Sequence, residues 1–247
     1  MTQKLIIGIF VLIATAAQAQ TMQFASTRTD SNAKTANKVA AVKDIHLMPL
    51  FGETNKSMGQ IEMEIKFLSD CDRDFESRTE ASRFFASRGW EYLQESELDT
   101  ACYRFNLAWL LDNKNADAYW GLGVVCYQKG YLTDAERLLR KGIDIDSVNV
   151  GLLVDLATVD MLSFKENKDN WELLEADQLL AKAIRIDSTN GNIYLKKAVL
   201  EYHKSDFVAS WAYIHKLRTI DEALIDLDFV KELLDCKPDP MGFFLKK

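Results

Sequence analysis

The chain has 247 residues, 48% of them hydrophobic, with 37 acidic and 30 basic side chains and a formal net charge of -7. Length and apolar content suffice for a substantial core, and mild acidity without a basic patch or stripe argues against nucleic acid or anionic lipid as partners. Four cysteines are too few for a disulfide-stapled mini-protein.

The chain opens with Lys4, a 13-residue apolar run over 5–17 and the small-residue pattern Ala17, Gln18, Ala19. A basic start, a short apolar core and small residues before a cut form the pattern of a signal peptide, here 1–19, with export as the expectation. Thirteen residues are too short to span a bilayer as a helix, so no integral anchor is expected. No cysteine follows the pattern, so no lipid anchor is expected either. The expected location is the periplasm, with the extracellular space as the alternative.

Residues 20–56 are rich in Thr, Ser, Asn, Ala and Lys and read as a flexible leader, interrupted by an apolar stretch at 45–51. A packing helix is expected over 57–76, opened by a capping box of Ser57 and Gln60. Met58, Ile61, Ile65, Leu68 and Phe75 follow at helical spacing. The alternation Ile61, Met63, Ile65, Phe67 also fits a strand, which would have no sheet to join.

Residues 77–220 read as four helical hairpins. Small-residue landmarks at 89, 123, 157 and 198 are spaced 34, 34 and 41, and those at 101, 135, 176 and 210 are spaced 34, 41 and 34. The two series together place a seven-residue insertion in the third unit, between Ala157 and Ala176, read as a solvated loop or a rim element. Gly130 ends one helix, and Thr133 with Glu136 is expected to open the next as a capping box. Over 221–247, a last amphipathic helix from 222 to 235 and a tail broken by Pro238 and Pro240 are expected to close the array. Met241, Phe243, Phe244 and Leu245 of that tail fit a cap, a segment docked in a neighbouring molecule's groove or a disordered end.

Chemical motifs are sparse. Gly121 and Gly123 form a GxG, but the next glycine is Gly130, so the spacing of a phosphate-binding loop is absent. Cys126 sits among Val124, Val125 and Tyr127, where an apolar setting raises a thiol pKa. His46, His203 and His215 lack metal-ligand spacing, so neither metal nor cofactor is expected. Cys102 and Cys126 fall on helices expected to be neighbours and are the pair a disulfide would join, but two free apolar thiols facing different interfaces are the stronger expectation.

The landmarks carry a family resemblance. Phe85, Gly89, Tyr92; Tyr119, Gly123, Cys126; Leu153, Ala157, Asp160; and Tyr194, Ala198, Glu201 match the first-helix positions of a 34-residue unit. Ala101, Phe105, Ala108; Ala135, Leu139, Gly142; Ala176, Leu180, Ala183; and Ser210, Ile214, Leu217 match the second. This pattern resembles the tetratricopeptide repeat (TPR) superfamily over 82–220. Asp160, Glu201 and Ser210 depart from it. As an exported acidic chain with a polar leader, it also resembles single-chain repeat proteins common in Bacteroidetes.

The resemblance implies an all-α, right-handed solenoid whose first helices line a concave, protein-binding face. Projected onto this sequence, that face holds Trp90, Leu93 and Gln94; Trp120, Val124 and Tyr127; Val154, Thr158 and Met161; and Lys196, Val199, Tyr202 and His203. Trp90, Leu93, Trp120, Val124, Tyr127, Met161, Tyr202 and His203 are the expected partner-binding residues. The small residues Gly89, Ala101, Ala108, Gly123, Ala135, Gly142, Ala157, Ala176, Ala183 and Ala198 are expected to let helices approach closely. A non-enzymatic module binding a peptide or helix of an envelope or secretion-related protein is the expected function. The alternative is a self-associating scaffold whose tail enters a neighbouring protomer.

Overall fold

The computed structural model describes residues 44–245, so the expected signal peptide 1–19 and the leader up to residue 43 lie outside the described residues. These residues form ten α-helices and no strand. After α1 (Met58–Asp74), four antiparallel hairpins follow: α2 (Arg78–Gln94) with α3 (Leu98–Leu111), α4 (Ala116–Gln128) with α5 (Leu132–Ile145), α6 (Val150–Asn167) with α7 (Asn170–Ile186), and α8 (Gly191–His203) with α9 (Phe207–Ile220). The last helix is α10 (Leu227–Cys236).

Polar punctuation sets these boundaries. Asn115, Asn149 and Asn190 cap α4, α6 and α8, their side chains accepting from the N–H groups of Asp117, Leu152 and Asn192. They recur at intervals of 34 and 41, so each hairpin begins with the same answer to the unpaired amides of a helix start. The first helices of hairpins one, two and four end alike. Ser96, Gly130 and Ser205 take positive φ, and the next N–H bonds back to the carbonyl of Tyr92, Cys126 and Glu201, each at 2.9 Å. This closing turn replaces the expected Thr133 and Glu136 box, because α5 already starts at Leu132 behind Tyr131 and has no side-chain cap.

Small residues then let the hairpins stack. A Cβ at Gly121 would stand 2.1 Å from the Phe105 ring and one at Gly89 2.7 Å from it, so that ring is held between α2 and α4. Gly123 meets Leu139, and Gly142 meets Leu152 of the following unit. The GxG of α4 therefore faces α3 with its first glycine and α5 with its second. Ala101, Ala108, Ala135, Ala157, Ala176, Ala183 and Ala198 are fully buried at the same kind of junction. The first helices α2, α4, α6 and α8 contact one another in succession, so they form the inner side of the array.

Three elements depart from expectation. The insertion in the third unit is helical: α6 runs to Asn167, Lys168 turns the chain at φ 61°, and α7 restarts at Asn170 behind the Asp169 cap. The final helix starts at Leu227 rather than 222, because Asp226 caps it by accepting from the Asp228 and Phe229 N–H groups. Cys102 and Cys126, by contrast, are free as the stronger reading had them, and burial pushes their thiols up to about 11 and about 12. They share one core cluster, in which Cys102 Sγ lies 3.4 Å from the Leu47 carbonyl.

The third departure lies within the expected flexible leader. Residues 45–53 form two short 3-10 turns that lie along α3. Asn106, fully buried, donates to the His46 and Met48 carbonyls at 3.1 and 2.8 Å and accepts from the Leu50 N–H at 2.8 Å. Leu50 and Phe51 are buried, and Leu50, Phe51, Gly52 and Glu53 all take positive φ. A left-handed turn at non-glycine residues costs roughly 1–2 kcal/mol per residue, so side-chain burial and the Asn106 bonds must outweigh it.

Two substitutions test this packing. Gly121→Ala should lower stability by about 1–3 kcal/mol, since Phe105 has Gly89 behind it and cannot retreat. Chemical denaturation against wild type measures it. Asn106→Ala leaves the Leu50 amide unpaired, a cost of about 1–3 kcal/mol, and should release the strap. Limited proteolysis should then cut within 44–56 well before the helices.

Candidate protein-binding face

The tryptophans expected on the inner face are there, but they are held by neighbouring repeats. Trp90 meets Trp120 edge to face at 4.8 Å and Phe105 at 5.2 Å. Trp120 lies on Gly151, where a Cβ would come within 2.2 Å of the indole, and its Nε1 donates to Asp155 Oδ2 at 2.6 Å. Each indole thus bridges two first helices and remains half-buried, presenting only part of its surface outward. Leu93, Val124 and Tyr127 are also half-buried, with Leu93 and Tyr127 against the same cluster.

Met161 is a correction. It is 3% exposed, in the cluster that includes Leu173 of the lengthened α7 and Leu200 of α8, so the helical insertion covers it. Val154 is buried there too. Further along, the His203 ring lies 6.1 Å from Phe164 and 5.9 Å from Tyr202. Burial, then Lys165 and Lys168, lower the His203 pKa, so the ring is neutral at pH 7. Tyr202 turns partly toward the end of the array, packing on Phe207 and Phe229 at 5.6 and 5.5 Å.

Between the two aromatic sets stand Asp155 and Lys196, at the same position of the third and fourth units. Burial raises the Asp155 pKa against the Trp120 bond, and burial lowers that of Lys196 against the pull of Asp155 and Asp226. Among the described residues the Lys196 ammonium has no hydrogen bond or ion pair. Sequence reasoning placed Lys196 on this face but missed Asp155 and Gly151. Glycine two residues behind the Asn149 cap was the available signal for a close approach.

Beside this face, α5, α6 and α7 meet around a buried acid. Arg140 pairs with Glu136 and, through both Nη atoms, with Glu175, at 2.7 Å between Nη2 and Oε2. Asp160, at the position held by Tyr92 and Cys126 in the first two units, is 2% exposed and leaves Oδ2 without a partner. Burial, then Glu175, pushes its pKa up to about 8. Among the described residues no group of three or more His, Cys, Asp and Glu is placed to hold a metal ion, and no helix is long and apolar enough to cross a membrane.

No protein-family model and no curated protein matches the sequence. Solved structures do. A thermophilic TPR protein of Thermus thermophilus superposes with a TM-score of 0.54 at 13% identity, over 65% of this chain and 93% of that one. PilF of Pseudomonas aeruginosa gives 0.52 at 19% identity, over 68% and 79%, and MamA of MSR-1 gives 0.50 at 12%, over 66% and 91%. The chain has the tetratricopeptide-repeat fold. Within that TPR array, the 34-residue register holds through the first two hairpins and resumes in the fourth after the lengthened α6 and α7.

The buried acid yields a pH prediction. Its folded value near 8 lies above the unfolded value of about 3.9, so its contribution is complete below pH 4 and is lost as pH rises toward 8. Asp160→Asn removes the ionisation. Urea midpoints should therefore fall less between pH 5 and pH 8 in the variant than in wild type.

Proposed function

We propose that this protein is an exported, non-enzymatic interaction module whose inner face receives an extended peptide or a helix of an envelope or secretion-related protein. The basic start, short apolar run and Ala17–Gln18–Ala19 pattern of the sequence support export, with the periplasm as the destination. The observation that carries the binding role is the row of side chains along the first helices. Trp90 and Trp120 are fixed before any partner arrives, and Asp155 and Lys196 stand next to them with hydrogen-bonding capacity to spare. Rigid half-exposed indoles lose little conformational entropy on contact, which suits them as anchors.

Chemistry at the thiols is disfavoured by the same packing. Cys102 and Cys126 are buried with pKa values far above neutrality, so neither supplies a thiolate nucleophile near pH 7.

Capture from an envelope extract tests the face with two variants. Trp90→Ala with Trp120→Ala should abolish capture and lower stability, because both rings also join repeats. Lys196→Met keeps the aliphatic stem, breaks no hydrogen bond within the fold and removes a charge that burial disfavours, so it should weaken capture without lowering the melting temperature. A specific partner retained equally by both variants rejects this site.

A further inference from the structure

Asp155 and Lys196 form an incomplete pair on the inner face. They hold the same position in the third and fourth units, so their side chains leave adjacent first helices, α6 and α8. Each feels the other's charge, yet among the described residues no ion pair joins them. Asp155 is engaged on its far side, where Oδ2 accepts from Trp120 Nε1 of the second unit at 2.6 Å. Lys196 is also attracted by Asp226 beyond the fourth hairpin, but the Asp226 side chain is occupied in capping α10. What remains is a slot with a free acceptor, Asp155 Oδ1, on one side and a free donor, the Lys196 ammonium, on the other. Both side chains are half-buried, and burial opposes the charged form of each, so water serves them poorly.

The two charges select what can enter. A carboxylate satisfies Lys196 but meets Asp155, with Asp226 behind; an ammonium or guanidinium satisfies Asp155 but meets Lys196. An apolar side chain leaves both heads unpaired. A hydroxyl carries donor and acceptor on one atom, whereas these two heads do not touch. A carboxamide is neutral and holds its N–H donor and its carbonyl acceptor on separate atoms.

We infer that this slot takes the carboxamide side chain of a glutamine or asparagine in the partner segment, which donates to Asp155 Oδ1 and accepts from Lys196 Nζ. The inference rests on the inner face being the binding face. The Trp120 indole, seated on Gly151, supplies an apolar wall for the methylene stem. The partner is thereby a segment that sets an apolar residue toward Trp90 and Trp120 and an uncharged amide residue one unit further along, in place of an acidic or basic stretch. Because the group recognised is neutral, added salt should leave its binding unchanged.

Nitrogen-15 spectra of the full chain test this through the Trp120 indole N–H, which is bonded to Asp155 and whose signal is assigned by its loss in Trp120→Phe. The probes are four blocked amino acids, the N-acetyl methylamides of glutamine, glutamate, lysine and methionine, which share their main-chain amides and differ only in the side chain. The glutamine compound should move the signal saturably. The other three should bind at least about fivefold more weakly, since each leaves a head unpaired or against a like charge. Lys196→Met should bring the glutamine compound down to the level of the methionine one. No saturable shift with glutamine, an equal response to any other probe, or a glutamine preference that survives Lys196→Met overturns the inference. The face is judged separately by capture: a partner held by wild type and lost with the tryptophan pair leaves the face standing even where the slot fails.

Discussion

Everything in the array depends on how closely one helix can approach the next, and the Phe105 ring shows the limit. It fills the space between Gly89 and Gly121, on two successive first helices, and touches Trp90. A side chain at either glycine would push the hairpins apart, and the inner face with them. The same rule operates at Gly142 against Leu152 and at Gly151 under Trp120. The inner face is thus a product of the packing that builds the repeats: Trp120 can lie flat and reach Asp155 only because residue 151 has no Cβ.

Hairpin order was legible because it is written in small residues at fixed intervals, a signal that survives wide divergence elsewhere. The position of the insertion was legible for the same reason, from two spacing series that changed at different units. Its conformation was not: a polar stretch around Lys165, Glu166 and Lys168 reads as loop, whereas Asp169 caps a helix and Phe164 packs with the cluster below it. Burial of Met161 follows from that helical extension, so it could not be inferred before the extension was known. The tryptophan stripe was visible, but periodicity does not distinguish an indole that faces solvent from one that rests on the next repeat.

Buried polar residues explain the remaining gaps. Asn106 stands in an apolar helix, and its partners are backbone groups some sixty positions upstream, which no local pattern announces. The tail clasp likewise joins Asp239 to His215 across 24 residues and to three amides of its own turn. Such sites lack periodicity. Each specifies one placement of an irregular segment, since any other leaves a buried polar group unpaired.

The strap changes how the array comes apart. A solenoid whose units touch only their neighbours can unravel from either end, one unit after another. Here, residues 45–53 lie on α3, and Glu53 reaches Arg137 of α5 at 2.9 Å, a bond between positions 84 apart in sequence. The first hairpin cannot fray without breaking a tie to the second, so these two units and the strap open together as one cooperative block. At the other end, the chain beyond α9 packs back on both helices of the last hairpin, Phe229 against Tyr202 of α8 and Phe244 against Trp211 of α9. Each terminal hairpin is therefore held by irregular chain that belongs to no repeat, and fraying from either end must first release that segment.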